Sequence, residues 1–359
     1  RGKAATPAPP LPPPDSRKPR GFPVEALLCT EPGRLQLVQM PEPQAGPEAV
    51  LVRPRRVGIC GTDYHIFQGK QPYLQYPRIM GHELAVEVVE APSGSGFTPG
   101  ELCVVNPYIA CGSCVACRAG KPNCCVSIAV LGVHRDGGMA ELLTLPARNL
   151  LHADGLGADQ CAAVEFMAIG AHAVRRGGVG DGDRVLVVGA GPIGLGVALF
   201  ARRRGASVTL YDRDPERVAT AEAITGAGAL PADGDVRDAA AAATGGEHFD
   251  VVFDATGNAA AMEQGFDLVA HGGRYVLVSI VKDAITFRDP DFHRKEMTLF
   301  ASRNATSEDF ATVIAAMRAG EVPVERLVTH RTSLGQAVHD IPVWATQKSG
   351  LIKAVVEIG

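Results

Sequence analysis

Arg184-Val-Leu-Val-Val-Gly189-Ala-Gly191-Pro192-Ile193-Gly194 decides the fold of this 359-residue chain. A compact apolar run ends in a glycine turn, and residues 193–204 then read as a helix closing at Gly205. A short run of this kind, bounded by glycines, is the pattern of a buried strand. Gly189 permits the tight turn, Gly191 lets a pyrophosphate approach the backbone, and Gly194 allows the helix to pack close on the strand. Pro192 and Ile193 complete the turn and open the helix, whose unpaired N–H groups face the phosphates. Residues 207–211 form a second strand ending at Asp212, where a carboxylate accepts from both ribose hydroxyls and repels a 2′-phosphate. That favours NAD, although Arg213 beside it can accommodate the phosphate and pulls the other way. Further strands at 250–254, 274–280 and 298–302, with a helix at 262–269, predict a doubly wound parallel sheet over residues 165–302.

Upstream the texture differs. Residues 24–164 carry short apolar runs at 49–52, 84–89 and 102–105, bounded by glycine and proline, as in a β-rich unit. The tail, 303–359, ends in a strand at 352–358 that belongs with this first unit. Residues 1–23 hold eight prolines and too little apolar surface to offset ordering entropy, so a flexible extension is expected. A net charge of −4 and a pI near 6.2 give no reason to approach nucleic acid or an anionic membrane. Arg202, Arg203 and Arg204 precede Gly205 at a helix C-terminus, where the dipole favours cations, and form no nucleic-acid patch. Residues 185–201 are the longest uncharged run and are broken by the glycine turn, so no membrane span is expected.

The nine cysteines cluster, with Cys111-x2-Cys114-x2-Cys117-x7-Cys125 as the densest group. Four thiolates so spaced wrap one tetrahedral zinc and leave no position open, which makes the site structural. Cys124 fits the spacing less well than Cys125. In a chain of this size such clustering points to metal rather than disulfides, and hence to a reducing, cytoplasmic compartment. A second constellation is Cys60-Gly-Thr62-Asp-Tyr-His65 followed by Gly81-His82-Glu83. Cysteine, histidine and carboxylate together suit a catalytic zinc with an open position, and Glu165 is another carboxylate able to reach it. Alone, each also reads as an ordinary core or helix-start residue.

Taken in order, these motifs resemble the zinc-dependent medium-chain alcohol dehydrogenases, over essentially everything from residue 24 to residue 359. The likeness is greatest to the sorbitol, threonine and L-idonate dehydrogenase branch, where glutamate stands at the position of Glu165. Residues 129–138 and Ser302-Arg303-Asn304 look closer still to L-galactonate 5-dehydrogenases. The resemblance implies a GroES-like β-rich catalytic domain plus a Rossmann domain, one catalytic and one structural zinc, and NAD. It implies that Cys60, His82 and either Glu83 or Glu165 hold the catalytic zinc, and that Thr62 and His65 relay a proton to solvent. Glu165 is followed by Phe166 where many relatives have proline.

The expected substrate is a polyol or a sugar acid, oxidised at a secondary alcohol. Arg303 is expected to grip hydroxyls or a carboxylate, with Asn304 adding a donor and acceptor and His134 lining the entrance. A plainer reading pairs Arg303 with Glu308. A threonine-type amino-alcohol dehydrogenase and a non-catalytic zinc- and nucleotide-binding relative are the alternatives; keeping Cys60, Thr62, His65, His82 and Glu165 together argues against the latter. The resemblance also implies a homodimer or homotetramer.

Overall fold

A computed structural model describes residues 23–359 other than 73 and 348; the proline-rich segment 1–22 lies outside the described residues. Val185, Leu186 and Val187 are fully buried, as a strand covered on both faces requires. Their strand, Arg184–Val188, is the first in sequence of a six-stranded, wholly parallel sheet. The spatial order is Gly228–Ala229, Ser207–Tyr211, Arg184–Val188, Phe249–Asp254, Val269–Leu277, Thr298–Ala301. In sequence terms this is 3-2-1-4-5-6, the dinucleotide-binding order, with its switch point beside Arg184–Val188. At that point the helix Pro192–Arg203 starts directly from the glycine turn. Gly189 has φ +100°, and a Cβ on Gly194 would stand 1.8 Å from the Gly189 carbonyl oxygen, so no larger residue fits there. Arg202 and Arg203 occupy the last helical turn, and Arg202 donates to the Thr225 carbonyl.

The other half is built on a seven-stranded sheet. Its path runs Leu150–His152, Leu102–Val105, Glu83–Glu90, Ala49–Ile59, Lys353–Glu357, Val328–Ser333, with Leu143–Pro146 also on Ala49–Ile59. The last two strands of the chain therefore join a sheet otherwise made near its beginning. A three-stranded sheet of Arg34–Met40, Val24–Glu31 and Arg78–Ile79 packs beside it. Ala49–Ile59 extends well past the expected 49–52, because Pro54 is accommodated at a register shift that hides the strand from pattern reading.

The helix Ala158–Arg176 joins the halves. Its Ala162, Phe166 and Ala173 share one buried cluster with Ala85 and Val104 of the antiparallel sheet and with Val187 and Phe253 of the parallel one. Helix Ser307–Arg318 adds Phe310 and Val313 to the same cluster. Among the described residues, no helix is long and apolar enough to cross a membrane.

Candidate active site

Strand Ala49–Ile59 delivers Cys60 to the N-cap of the short helix Gly61–Phe67. Asp63, wholly buried in the first turn, accepts from the Cys60 N–H at 2.8 Å and from the Gly81 N–H at 3.2 Å. One carboxylate thus ties the Cys60 turn to the turn that carries His82 and Glu83. The ligand atoms of Cys60, His82 and Glu83 lie within 4.8 Å of one another. Glu83 is held in turn by Lys353, whose Nζ donates to Oε1 at 2.6 Å and Oε2 at 2.8 Å. Glu165, midway along Ala158–Arg176, accepts from the Tyr108 hydroxyl. Burial pushes the Glu165 carboxyl up to about 6; the Glu83 charge adds to this, while His82, Tyr108 and Lys353 oppose it. Glu165 is a neighbour of the tight cluster rather than a member of it.

This donor set fits a metal cation. Three carboxylates are buried here, Asp63 at 0%, Glu83 at 0% and Glu165 at 4% exposure, against two basic groups, Lys353 on Glu83 and His82 at 3.9 Å from Asp63. His82 Nδ1 is buried with no hydrogen-bond partner. Negative charge in excess of positive charge is costly to bury, and thiol, imidazole and carboxylate together suit zinc. Thr62 is half-buried next to Cys60, and His65 is exposed three residues further on, the spacing that puts both on one helix face.

Cys60 also lines a cavity of about 1010 Å³, which Gly191, Pro192, Ile193 and Lys353 line as well. Cys60 of the candidate metal cluster and the glycine turn thus open onto one cleft. Asp212 stands at the end of strand Ser207–Tyr211, where Oδ2 accepts from the Ala190 N–H at 2.9 Å and Oδ1 from the Asp214 N–H at 3.0 Å. Arg213 is exposed. The sulfurs of Cys111, Cys114, Cys117 and Cys125 form a second group within 4.8 Å, while Cys124 stands outside it and is exposed. Backbone hydrogen bonds from Ser113 and Cys114 pull the Cys111 thiol down to about 6, while burial and the neighbouring sulfurs push Cys117 up to about 12, as close thiols sharing protons do.

The expected substrate residues separate. His134 and Arg303 come together: after burial, the charges of Arg303 and Arg78 lower the His134 imidazole below its ordinary value. Glu308 pairs with Arg175 at 3.4 Å. Among the described residues no carboxylate pairs with the Arg303 guanidinium. Asn304 Nδ2 donates to the Asn123 carbonyl at 3.1 Å, which ties one of its amide hydrogens to the four-cysteine lobe. Asp63, Tyr108 and Lys353 contact the cluster or its neighbour Glu165 and were not singled out in the sequence. Asp63 sat inside the quoted cysteine motif and was the one with a signal.

Residues 46–155 match the family model for the alcohol dehydrogenase GroES-like domain, and residues 192–319 match that for zinc-binding dehydrogenases. The chain is 41% identical over 337 residues to L-galactonate-5-dehydrogenase of Escherichia coli (strain K12), covering 93% of this chain and 98% of the relative. It is 32% identical over 291 residues to 2-dehydro-3-deoxy-L-galactonate 5-dehydrogenase of Pseudoalteromonas atlantica, covering 80% and 84%. An alcohol dehydrogenase of Escherichia coli CFT073, solved in complex with NADH, superposes with a TM-score of 0.88 at 28% identity, over 94% of this chain and 100% of that one. The β-rich unit, the parallel sheet and these likenesses agree with one another, and the chain belongs to the zinc-dependent alcohol dehydrogenases of the medium-chain family.

Proposed function

We propose that the chain oxidises a secondary alcohol of a sugar acid, at C5 of an aldonate of the L-galactonate or L-idonate kind, with NAD as hydride acceptor. Cys60 carries this reading, since it belongs at once to the cluster with His82 and Glu83 and to the wall of the cavity that Gly191 lines. Hydride transfer needs the alcohol and the nicotinamide held in one dry cleft. Cys60, His82 and Glu83 would hold the catalytic zinc, with Glu165 as the adjacent carboxylate; Cys111, Cys114, Cys117 and Cys125 would hold a structural one. When bound, zinc lowers the pKa of the alcohol hydroxyl and NAD accepts the hydride.

The chain's own side chains do the positioning. Gly189, Gly191 and Gly194 keep the turn clear for a pyrophosphate above the helix N-terminus. Asp212 takes the ribose hydroxyls and disfavours a 2′-phosphate. Thr62 and then His65 take the alcohol's proton from the Cys60 turn toward solvent. Arg303 pairs with the substrate carboxylate through two parallel N–H donors, with His134 at the entrance.

Replacing Arg303 with alanine tests the substrate class. Catalytic efficiency on an aldonate should fall by about 2–4 kcal/mol in transition-state terms, and by much less on the matching alditol. Equal losses on both would remove the carboxylate from the reading. We also propose a homodimer or homotetramer in a reducing, cytoplasmic compartment. Nine free cysteines support the compartment. The edge strand Thr298–Ala301, with exposed Leu299 and nearby exposed Ile280 and Phe287, supports self-association.

A further inference from the structure

Asn123 sits on the four-cysteine lobe between Pro122 and Cys124 and is only 5% exposed. Its Nδ2 donates to the Arg303 carbonyl at 2.9 Å and lies 3.2 Å from His172 Nε2. In return, Asn304 Nδ2 donates to the Asn123 carbonyl at 3.1 Å. Asn304 has φ +54°, a left-handed conformation that non-glycine residues adopt rarely and keep where surrounding contacts hold it. Two side chains therefore exchange hydrogen bonds with each other's backbone segments, across 181 residues of sequence, around the peptide that carries Arg303.

The amide of Asn123 is itself oriented. His172 Nδ1 lies 2.8 Å from Asp309 Oδ2, and Asp309 is held by Arg175 Nε at 2.8 Å and by the Thr306 N–H at 2.8 Å. An ionised carboxylate only accepts, so His172 carries its proton on Nδ1 and offers Nε2 as an acceptor. Nε2 then takes one Asn123 amide hydrogen and the Arg303 carbonyl takes the other. Thr306 follows Asn304 by two residues, so the contacts close a ring through Asp309, His172, Asn123, Arg303 and back. The ring fixes the orientation of one peptide, and the residue on that peptide is the exposed, carboxylate-free Arg303.

We propose that Asn123 is a positioning residue for substrate specificity. With Asn304 it clasps the Arg303 backbone to the cysteine lobe and so sets where the guanidinium meets the substrate. The proposal rests on the reading of Arg303 as the carboxylate ligand. A group that recognises a planar anion through two bonds tolerates little displacement, and a misplacement of about 1 Å can cost on the order of a hundredfold.

The test uses the full-length zinc-loaded protein with Asn123→Ala, Asn304→Gly and Arg303→Ala, singly and with Asn123→Ala and Arg303→Ala combined. Asn304→Gly removes one of the two hydrogen bonds of the clasp, the one to the Asn123 carbonyl, while keeping the left-handed backbone accessible. kcat and KM are measured for an aldonate and its matching alditol, alongside thermal melts and zinc content. Asn123→Ala should raise KM for the aldonate about tenfold or more with a smaller change in kcat, and shift the alditol by less than about threefold. Asn304→Gly should show the same selectivity, and Asn123→Ala should add nothing selective in the Arg303→Ala background. If Arg303→Ala is selective while Asn123→Ala and Asn304→Gly act equally on both substrates, Asn123 is structural only and the proposal fails alone. If Arg303→Ala is itself unselective, the substrate reading fails and the positioning role goes with it. Should Asn123→Ala not fold, Asn304→Gly decides by the same criterion.

Discussion

Lys353 Nζ donates to both carboxylate oxygens of Glu83, at 2.6 and 2.8 Å, across 270 residues of sequence. The final strand of the chain thus places its buried lysine against the carboxylate of the candidate zinc cluster. The same ammonium lies 4.3 Å from the centre of the Phe166 ring, next to Glu165. Burial works to lower the Lys353 pKa, but Glu83, Cys60 and Glu165 hold it above its ordinary value.

Lys353→Met should therefore leave Glu83 buried without a partner and destabilise the zinc-free protein by about 3–5 kcal/mol. Bound zinc restores a cation to the cluster, so the loss should be smaller in the zinc-loaded protein. Denaturant unfolding of both forms measures the difference. Equal losses with and without zinc would mean that Glu83 answers to Lys353 alone.

Two zinc ions per chain should play unequal roles. Cys114→Ser should lower the melting temperature and release one zinc, because the four-thiolate cage organises its own lobe. Cys60→Ser should remove the other zinc and abolish turnover with the fold largely kept. Metal analysis with thermal melts separates the two, and an active Cys60→Ser protein would remove Cys60 from the catalytic centre.

Asp212 accepts two backbone N–H groups at the strand end, which pins its carboxylate beside the glycine turn. Asp212→Ala should weaken NAD use and relax discrimination against NADP, since ribose partner and phosphate repulsion vanish together. The ratio of kcat/KM for the two cofactors reports it. If the unaltered enzyme uses both equally, Arg213 governs the choice.

Much of the fold could be read from local pattern. The apolar run before Gly189, the glycine spacing and Asp212 are all nearby in sequence, and the parallel sheet follows from strands that alternate with helices. The cysteine spacing and Cys60, His82 and Glu83 were legible for the same reason. Lys353, Tyr108 and Asn123 were not, because the hydrogen-bond partner of each lies 57 to 270 residues away. The strand Val269–Leu277 was expected only from 274, and the preceding helix to run on to 269. Gly272 and Gly273 weaken a strand pattern; in the fold the α-helix passes at Gly265 into a 3-10 turn, Phe266–Leu268, so the helical expectation holds to 268 and the glycines are carried within the sheet. The bond from Asn304 to Asn123 is likewise invisible in sequence, because its partner lies 181 residues away.

The most direct measurement is the initial rate of NAD reduction, followed at the nicotinamide absorbance, with aldonates, their matching alditols and L-threonine in parallel. L-Galactonate or L-idonate should give the highest kcat/KM, and removing zinc should abolish the rate. A highest kcat/KM with L-threonine, or with an alditol over its aldonate, would show that Arg303 does not select a sugar acid.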